Sequence, residues 1–358
     1  MAGRENVDIA IIGGGFSGLV AALLARQRGC DCLVVEKLSV GSSSLSNAHY
    51  LNAYSLEILV SLGLSIDELR HHSVSSATDR RMVFCHTLNR SLGCIDLDED
   101  PEYAERYARV GRFGAFMNVR GTDLYRLLLQ LARDRGVRIL WEHRLIDVHA
   151  STKTIVLQGS GPPMRYDCGY LLACDGAGGT TVDFFDLSCK NQTHYQDFIT
   201  VECHGSVSDY VEDTGILYWI FHERLVGCMV AFDLDSLQIL QIPVIPGLRQ
   251  DGFDEHTIKQ SFSTICGISP SDCQHRFKIA STWRLHSGTL EKAQYGDWFF
   301  VLGDALHQVL PSGGLGLNLA LADAYNLVWK LAEDLAKPSA GLSYSGTYEQ
   351  ERLPAAQR

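Results

Sequence analysis

Apolar and polar positions follow two different periods along this chain, and the change of period divides it. Residues 7–12 form a short apolar, β-branched run, glycines follow, residues 19–28 are rich in alanine and leucine, and after Gly29 a second apolar run covers 32–35. This order predicts strand, turn, helix and strand. Residues 54–62 and 123–135 carry apolar side chains at helical spacing, and 137–140 after Gly136 read as a strand re-entering the sheet. From 198 to 278 the texture shifts to strand-like runs at 216–221, 226–232 and 237–244, separated by turn residues. Residues 298–302 then form a buried strand, and 317–336 place Leu321, Ala324, Leu327, Val328, Leu331 and Leu335 along one helical face. The fold class is therefore α/β, a Rossmann-like domain with a parallel sheet plus a smaller, mainly antiparallel β domain (α+β). The expected boundaries are 1–183 and 279–358 for the first domain and 184–278 for the second, with 72–115 joining the second side.

Composition narrows the partners. A length of 358 residues, 46% hydrophobic and 20% charged, suits an ordered chain with more than one core. The formal net charge of -11, with no cluster of Lys and Arg, argues against a nucleic-acid backbone and for a small-molecule partner. Eleven cysteines show no CxxC pair and no His cluster at metal-ligand spacing, so they read as reduced thiols and no metal is expected. Cys30 and Cys32, the one close pair, read as neither a disulfide nor a shared metal site. No apolar run reaches the roughly 20 residues that span a bilayer, and the N-terminus runs almost directly into a strand, which reads as cytoplasmic.

The glycine loop carries the first chemistry. In Gly13-Gly14-Gly15-Phe16-Ser17-Gly18 the first glycine permits a tight turn, the second lets a pyrophosphate approach the backbone, and the third lets helix and strand pack closely. The helix that follows turns its unpaired N–H groups toward the phosphates. Glu36, followed by Lys37, stands at the end of the next strand, where a carboxylate accepts both hydroxyls of an adenosine ribose and disfavours a 2′-phosphate. The loop alone leaves NAD and FAD open.

The far end of the chain separates them. Trp298-Phe299-Phe300-Val301-Leu302-Gly303-Asp304-Ala305-Leu306-His307, then Pro311-Ser312-Gly313-Gly314-Leu315-Gly316-Leu317-Asn318, then Asp323-Ala324-Tyr325-Asn326-Leu327-Val328-Trp329-Lys330-Leu331-Ala332 resemble the p-hydroxybenzoate-hydroxylase type of FAD monooxygenase. That family reads GDAAH, PP, GGQGMN and DAxNLxWKLA at these places. The resemblance extends to Cys174-Asp175-Gly176, to Leu51-Asn52 with Leu56-Glu57-Ile58-Leu59, to Val119-Arg120-Gly121-Thr122-Asp123-Leu124, and to Tyr348-Glu349-Gln350-Glu351-Arg352-Leu353-Pro354. It covers residues 7–358 and is weakest in the middle.

The resemblance implies that Asp304 accepts from a ribityl hydroxyl, that N–H groups at Gly316, Leu317 and Asn318 face the flavin pyrimidine edge, and that Arg120 touches the cofactor. Asp175 either contacts the dinucleotide or orders its own turn. Two departures stand out: Val182-Asp183 replace the arginine usual after the Asp-Gly pair, and Asn47 stands where an arginine is common. The implied reaction is hydroxylation of a phenolic or polyketide-like molecule with NADPH or NADH and O2, through a flavin C4a-hydroperoxide. Relatives continue beyond the Tyr348 to Pro354 motif, so the chain reads as ending early, with oligomerisation one way to cover a missing helix. The alternatives are a related flavin reductase, a halogenase, or a flavin-binding truncated form with little turnover; the WxWxIP pattern of flavin halogenases does not occur. Such chemistry needs few side chains. Tyr218, His222 and His49 are candidates to line a pocket or carry a proton, and each also suits a core or surface position.

Overall fold

The computed structural model describes residues 5–41, 49–74, 80–97, 99, 101–102, 105, 109, 111–244, 254–311, 313–337 and 343–357. Asn47 lies outside the described residues. Two units are formed: Met1–Leu69, Gly121–Thr193 and His286–Arg358 make the first, and Arg70–Arg120 with His194–Leu285 the second.

The first unit is built on a mixed sheet whose neighbouring strands are Gln294–Tyr295, Phe299–Val301, Met164–Ala173, Glu5–Ile12, Cys32–Glu36 and Arg138–Trp141. The pairings from Phe299–Val301 through to Arg138–Trp141 are parallel. Parallel strands covered on both faces must be apolar throughout, which is why Ile9, Ala10 and Ile11 are all fully buried. An antiparallel extension, Arg144–His149 and Thr154–Gln158, flanks Met164–Ala173. The helix Phe16–Gln27 buries a continuous run from Gly18 to Ala25, because the sheet lies on one side of it and the Leu315–Ala336 helix packs against it. The Gly121–Asp134 helix buries Leu124, Leu128, Leu129 and Ala132 at spacings of three and four, with Arg126 and Gln130 turned outward.

The sheet of the second unit runs from Arg276–Leu290 through Cys189–His204, Leu237–Pro243, Leu225–Asp233, Leu217–His222 and Arg81–Thr87 to Arg90–Asp96. From Cys189–His204 to Arg90–Asp96 the pairings are antiparallel except for the parallel pair Leu217–His222 with Arg81–Thr87. Helix Glu255–Cys266 covers one face. Its Ile258, Phe262, Ile265 and Cys266 meet Val83, Val201, Tyr218, Met229 and Leu240 in a single core. Asp254 caps that helix by accepting from Thr257 N–H at 2.8 Å, and Gly267 ends it in a left-handed turn.

Cys30 precedes the strand, which starts at Cys32, and Cys30 N–H donates to Ala25 carbonyl at the end of the first helix. Among the described residues every cysteine is a free thiol, and no helix is long and apolar enough to cross a membrane.

Candidate functional site

The motifs converge because their strands end level. Ile12 pairs with Ala173 and with Val35, and Ala173 pairs with Val301, so the loops at Gly13, Cys174 and Leu302 and the side chain of Glu36 leave the sheet along one edge. That edge is the carboxyl end of parallel strands, where α/β sheets bind ligands.

Close approach explains the glycines. Gly13 has φ +107°, and a Cβ there would lie 2.3 Å from Cys174 carbonyl oxygen; one on Gly18 would lie 1.9 Å from Gly13 carbonyl oxygen. Gly15 differs, since nothing lies within 4 Å of its would-be Cβ. It is the N-cap of helix Phe16–Gln27, no side chain caps it, and the first turn holds no acid. The positive end of that helix therefore opens onto space beside the loop. Glu36 borders it. Its Oε2 accepts from Gly14 N–H at 2.7 Å and its Oε1 from Leu38 N–H at 2.9 Å. Both oxygens are thus oriented, and each keeps a second lone pair.

Gly303, with φ +62°, packs so tightly that a Cβ would meet Ser17 Oγ at 2.2 Å, which brings the Gly-Asp turn against the first helix. Asp304 follows. A Cβ on Gly316 would lie 3.9 Å from its Oδ1, so its carboxyl stands beside the start of the Leu315–Ala336 helix. Asp304 is accessible at the surface yet ringed by protein. Loss of water pushes its carboxyl above the usual aspartate range, with His307 opposing and Asp323 reinforcing that shift. The neighbouring helix has Gly314 at its N-cap, at φ +65°, with no capping side chain and no acid in its first turn. Phe16 stacks edge-on with Tyr125.

Asn318 is spent on structure. Its Oδ1 accepts from Asn52 N–H at 2.9 Å and Ser55 Oγ at 2.6 Å, while its Nδ2 donates to Tyr50 carbonyl at 3.0 Å and Gly314 carbonyl at 2.6 Å. Every hydrogen-bonding position of the amide is used, so the side chain clamps the Tyr50–Asn52 strand to the helix. Asp175 likewise orders its turn: Oδ2 accepts from Thr180 N–H, Thr181 N–H and Thr181 Oγ1 at 2.8 to 3.0 Å. Of its two readings the turn is the one these bonds express. Lys37 is exposed beside Glu36, and His49 and Leu317 are half-buried.

The remaining candidates lie in the second unit. Arg120 sits over the Phe232 ring, 5.8 Å from its centroid, while Asp123 pairs with Arg126. Tyr218 requires a correction as a proton carrier. It is fully buried in the core, its hydroxyl donates to Asp213 carbonyl and accepts from Gly215 N–H, and burial pushes its phenol up to about 12. His222 is half-buried, with its ring 4.5 Å from that of His86. His86, His222 and Glu223 bring their ligand atoms within 4.8 Å of one another. Arg224 N–H donates to His222 Nδ1 at 3.1 Å, which leaves the proton of a neutral ring on Nε2, toward Glu223. Glu223 also meets His86 Nε2 at 2.8 Å, so the three groups satisfy one another.

Sequence reading missed Ser17 as the surface on which Gly303 rests, and Asp323 as the buried acceptor behind Gly303 N–H at 3.0 Å. Only the motif spellings hinted at either. A cleft lined by Leu24, Gln27, Arg28, Ser61, Tyr325 and Trp329 lies at the other end of helix Phe16–Gln27 and holds no motif glycine.

A family model described as FAD binding domain matches residues 6–358. Tetracenomycin A2 monooxygenase-dioxygenase of Streptomyces glaucescens is 27% identical over 388 residues, covering 98% of this chain and 66% of the relative. The 2,4-dichlorophenol 6-monooxygenase of Delftia acidovorans is 24% identical over 371 residues, covering 99% of this chain and 61% of the relative. The solved structure of the flavin-dependent monooxygenase PieE in complex with FAD and substrate superposes with a TM-score of 0.89 at 23% identity, covering 98% of this chain and 62% of that one. The chain thus spans no more than 66% of the length of these relatives, and the structural likeness concerns the fold.

Proposed function

Given that the chain belongs to the FAD-binding domain family, we propose that it is an FAD-dependent monooxygenase that uses NADPH or NADH and O2 to hydroxylate a phenolic or polyketide-like small molecule. The observation that carries the reading is the level edge at which the Gly13, Cys174 and Gly303 loops meet, with an uncapped helix N-terminus beside Gly15 and a second beside Asp304. These residues fit the cofactor. The Phe16–Gln27 helix N-terminus takes the pyrophosphate, Glu36 the adenosine ribose hydroxyls, Asp304 a ribityl hydroxyl, and the N–H groups of Gly316, Leu317 and Asn318 the pyrimidine edge.

Bound FAD, once reduced by a nicotinamide, supplies the activation of O2 that no side chain can provide. The protein's share is binding, orientation and electrostatics. The dipole of the Leu315–Ala336 helix stabilises negative charge at its start. Asp304, beside that start, offers a carboxylate acceptor at the surface. The relatives support an aromatic substrate, since one is named for tetracenomycin A2 and another for 2,4-dichlorophenol.

The test is direct. Protein purified or reconstituted with FAD should be yellow, and 2,4-dichlorophenol or tetracenomycin A2 should accelerate its oxidation of NADPH or NADH. Failure to bind FAD overturns the reading at its base. Nicotinamide oxidation that returns only hydrogen peroxide with every phenol tried overturns the hydroxylase and leaves an oxidase.

A further inference from the structure

Behind the Gly303-Asp304 turn lies a buried charged cluster built from three distant parts of the first unit. Asp323, in the Leu315–Ala336 helix, is fully buried, as is His307. Three donors converge on the Asp323 carboxylate: Gly303 N–H at 3.0 Å and His307 Nε2 at 2.7 Å on Oδ2, and Arg352 Nε at 2.7 Å on Oδ1. Arg352 also donates through Nη2 to Leu319 carbonyl at 3.4 Å, so its planar fork bridges the carboxylate and the helix backbone. It belongs to helix Tyr348–Gln357.

Only an acceptor-only group satisfies this arrangement. An amide in place of the carboxylate would turn its NH2 toward at least one of the three donors and would leave the guanidinium without its counter-charge. What the carboxylate holds is the N–H of Gly303, a residue in the left-handed region wedged against Ser17, and the next residue is Asp304. Asp323 also acts on Asp304 through space, as a negative charge that raises its carboxyl. Arg352 offsets that charge from the far side.

We propose that Asp323 is a positioning residue for the cofactor: its carboxylate, neutralised by Arg352, fixes the turn that presents Asp304 and so sets FAD affinity. This rests on the FAD reading above. Asp323 and Arg352 act through the Gly303 amide and the field at Asp304.

The experiment titrates FAD into the full chain by quenching of flavin fluorescence, records the visible spectrum of the bound flavin, and measures the thermal midpoint of each apoprotein. The variants are Asp323→Asn, Arg352→Met, Arg352→Lys, the double variant Asp323→Asn/Arg352→Met, and Tyr348→Phe. Tyr348 is buried in the same helix and donates to Val301 carbonyl at 2.8 Å, so its variant loosens the docking without touching the carboxylate. Asp323→Asn and Arg352→Met are expected to weaken FAD binding by at least about tenfold and to shift the bound flavin's visible absorption. Arg352→Lys should recover part of the affinity, and the double variant should be no worse than Asp323→Asn, because the uncompensated charge is gone. Tyr348→Phe should lower the thermal midpoint while FAD affinity holds.

Equal FAD affinity and spectra in wild type, Asp323→Asn and Arg352→Met overturn the proposal. So does a loss of affinity that merely follows the thermal midpoint, with Tyr348→Phe on the same trend. If Asp323→Asn does not fold, the contrast of Arg352→Met with Arg352→Lys and Tyr348→Phe decides by the same criteria. Wild-type protein that binds no FAD overturns the flavin reading itself, whereas wild-type binding with unaffected variants overturns this inference alone.

Discussion

Asp304, the proposed acceptor of a ribityl hydroxyl, bears a cost to stability that its exposed position keeps small. Its carboxyl is raised above the ordinary aspartate value, chiefly by loss of water. A raised acid favours the protonated form in the fold, so the charged form costs stability at neutral pH, and the cost disappears as pH falls below the ordinary value. Asp304→Asn removes that cost along with the charged acceptor. The expected result is an apoprotein with an unchanged or higher thermal midpoint whose FAD dissociation constant rises by about tenfold or more, the usual loss for a hydrogen bond to a charged group. Calorimetry of the apoprotein and an FAD titration check both halves. A variant both less stable and equally avid would contradict this reading of the residue.

Helices and strands bring these residues together, and the glycines show how finely. Gly18→Ala would put a Cβ 1.9 Å from Gly13 carbonyl oxygen, backbone against backbone. The first helix must then move off the sheet, costing about 1 to 3 kcal/mol or more and displacing the N-terminus beside Gly15. Denaturant unfolding and FAD titration should both register it. Phe262, fully buried where helix Glu255–Cys266 meets its sheet, tests the second unit: Phe262→Ala should cost about 3 to 5 kcal/mol in stability. The contact of helix Tyr348–Gln357 with helix Leu315–Ala336 is acid-sensitive. Glu351 bonds Asn326 at 2.7 Å and Lys330 at 2.8 Å, and these partners lower its carboxyl from 4.5 to about 2. A lowered acid contributes stability that is present above its unfolded value and lost as pH falls through its folded one. The thermal midpoint should therefore drop between about pH 4.5 and 2, and Glu351→Gln should flatten that slope.

The same scale explains what the sequence made legible. The turn and helix packing of the Gly13 to Gly18 loop could be read because both lie within six neighbouring residues. The Gly303-Asp304 turn could be read because it follows an apolar strand and precedes a glycine-rich helix start. The structural role of the Asn318 side chain could not be read, since three of the four bonds that consume it involve Tyr50, Asn52 and Ser55, more than 260 positions away along the chain. Tyr218 looked like a pocket residue because a strand's alternation reveals that it has two faces without saying which is the core. Asp323 carried no signal beyond its place in a helical motif, for its donors lie 16 to 29 positions away in three different segments.

At the scale of the whole molecule, two units with separate cores divide the work. The first carries the level strand ends, the helix N-termini and the acids that suit a dinucleotide with an unphosphorylated ribose. The formal net charge of -11 sits well with a small-molecule enzyme and poorly with a polyanionic partner. The proposed hydroxylation of an aromatic ring would draw its oxygen from O2, with FAD bound at this edge supplying the activation. Its most direct test supplies the holoprotein with NADPH or NADH, 2,4-dichlorophenol or tetracenomycin A2, and isotopically heavy O2, and reads product mass. The account predicts a hydroxylated product that carries one heavy oxygen atom per added hydroxyl; a product whose new oxygen comes from water, or nicotinamide oxidation recovered wholly as hydrogen peroxide, would contradict it.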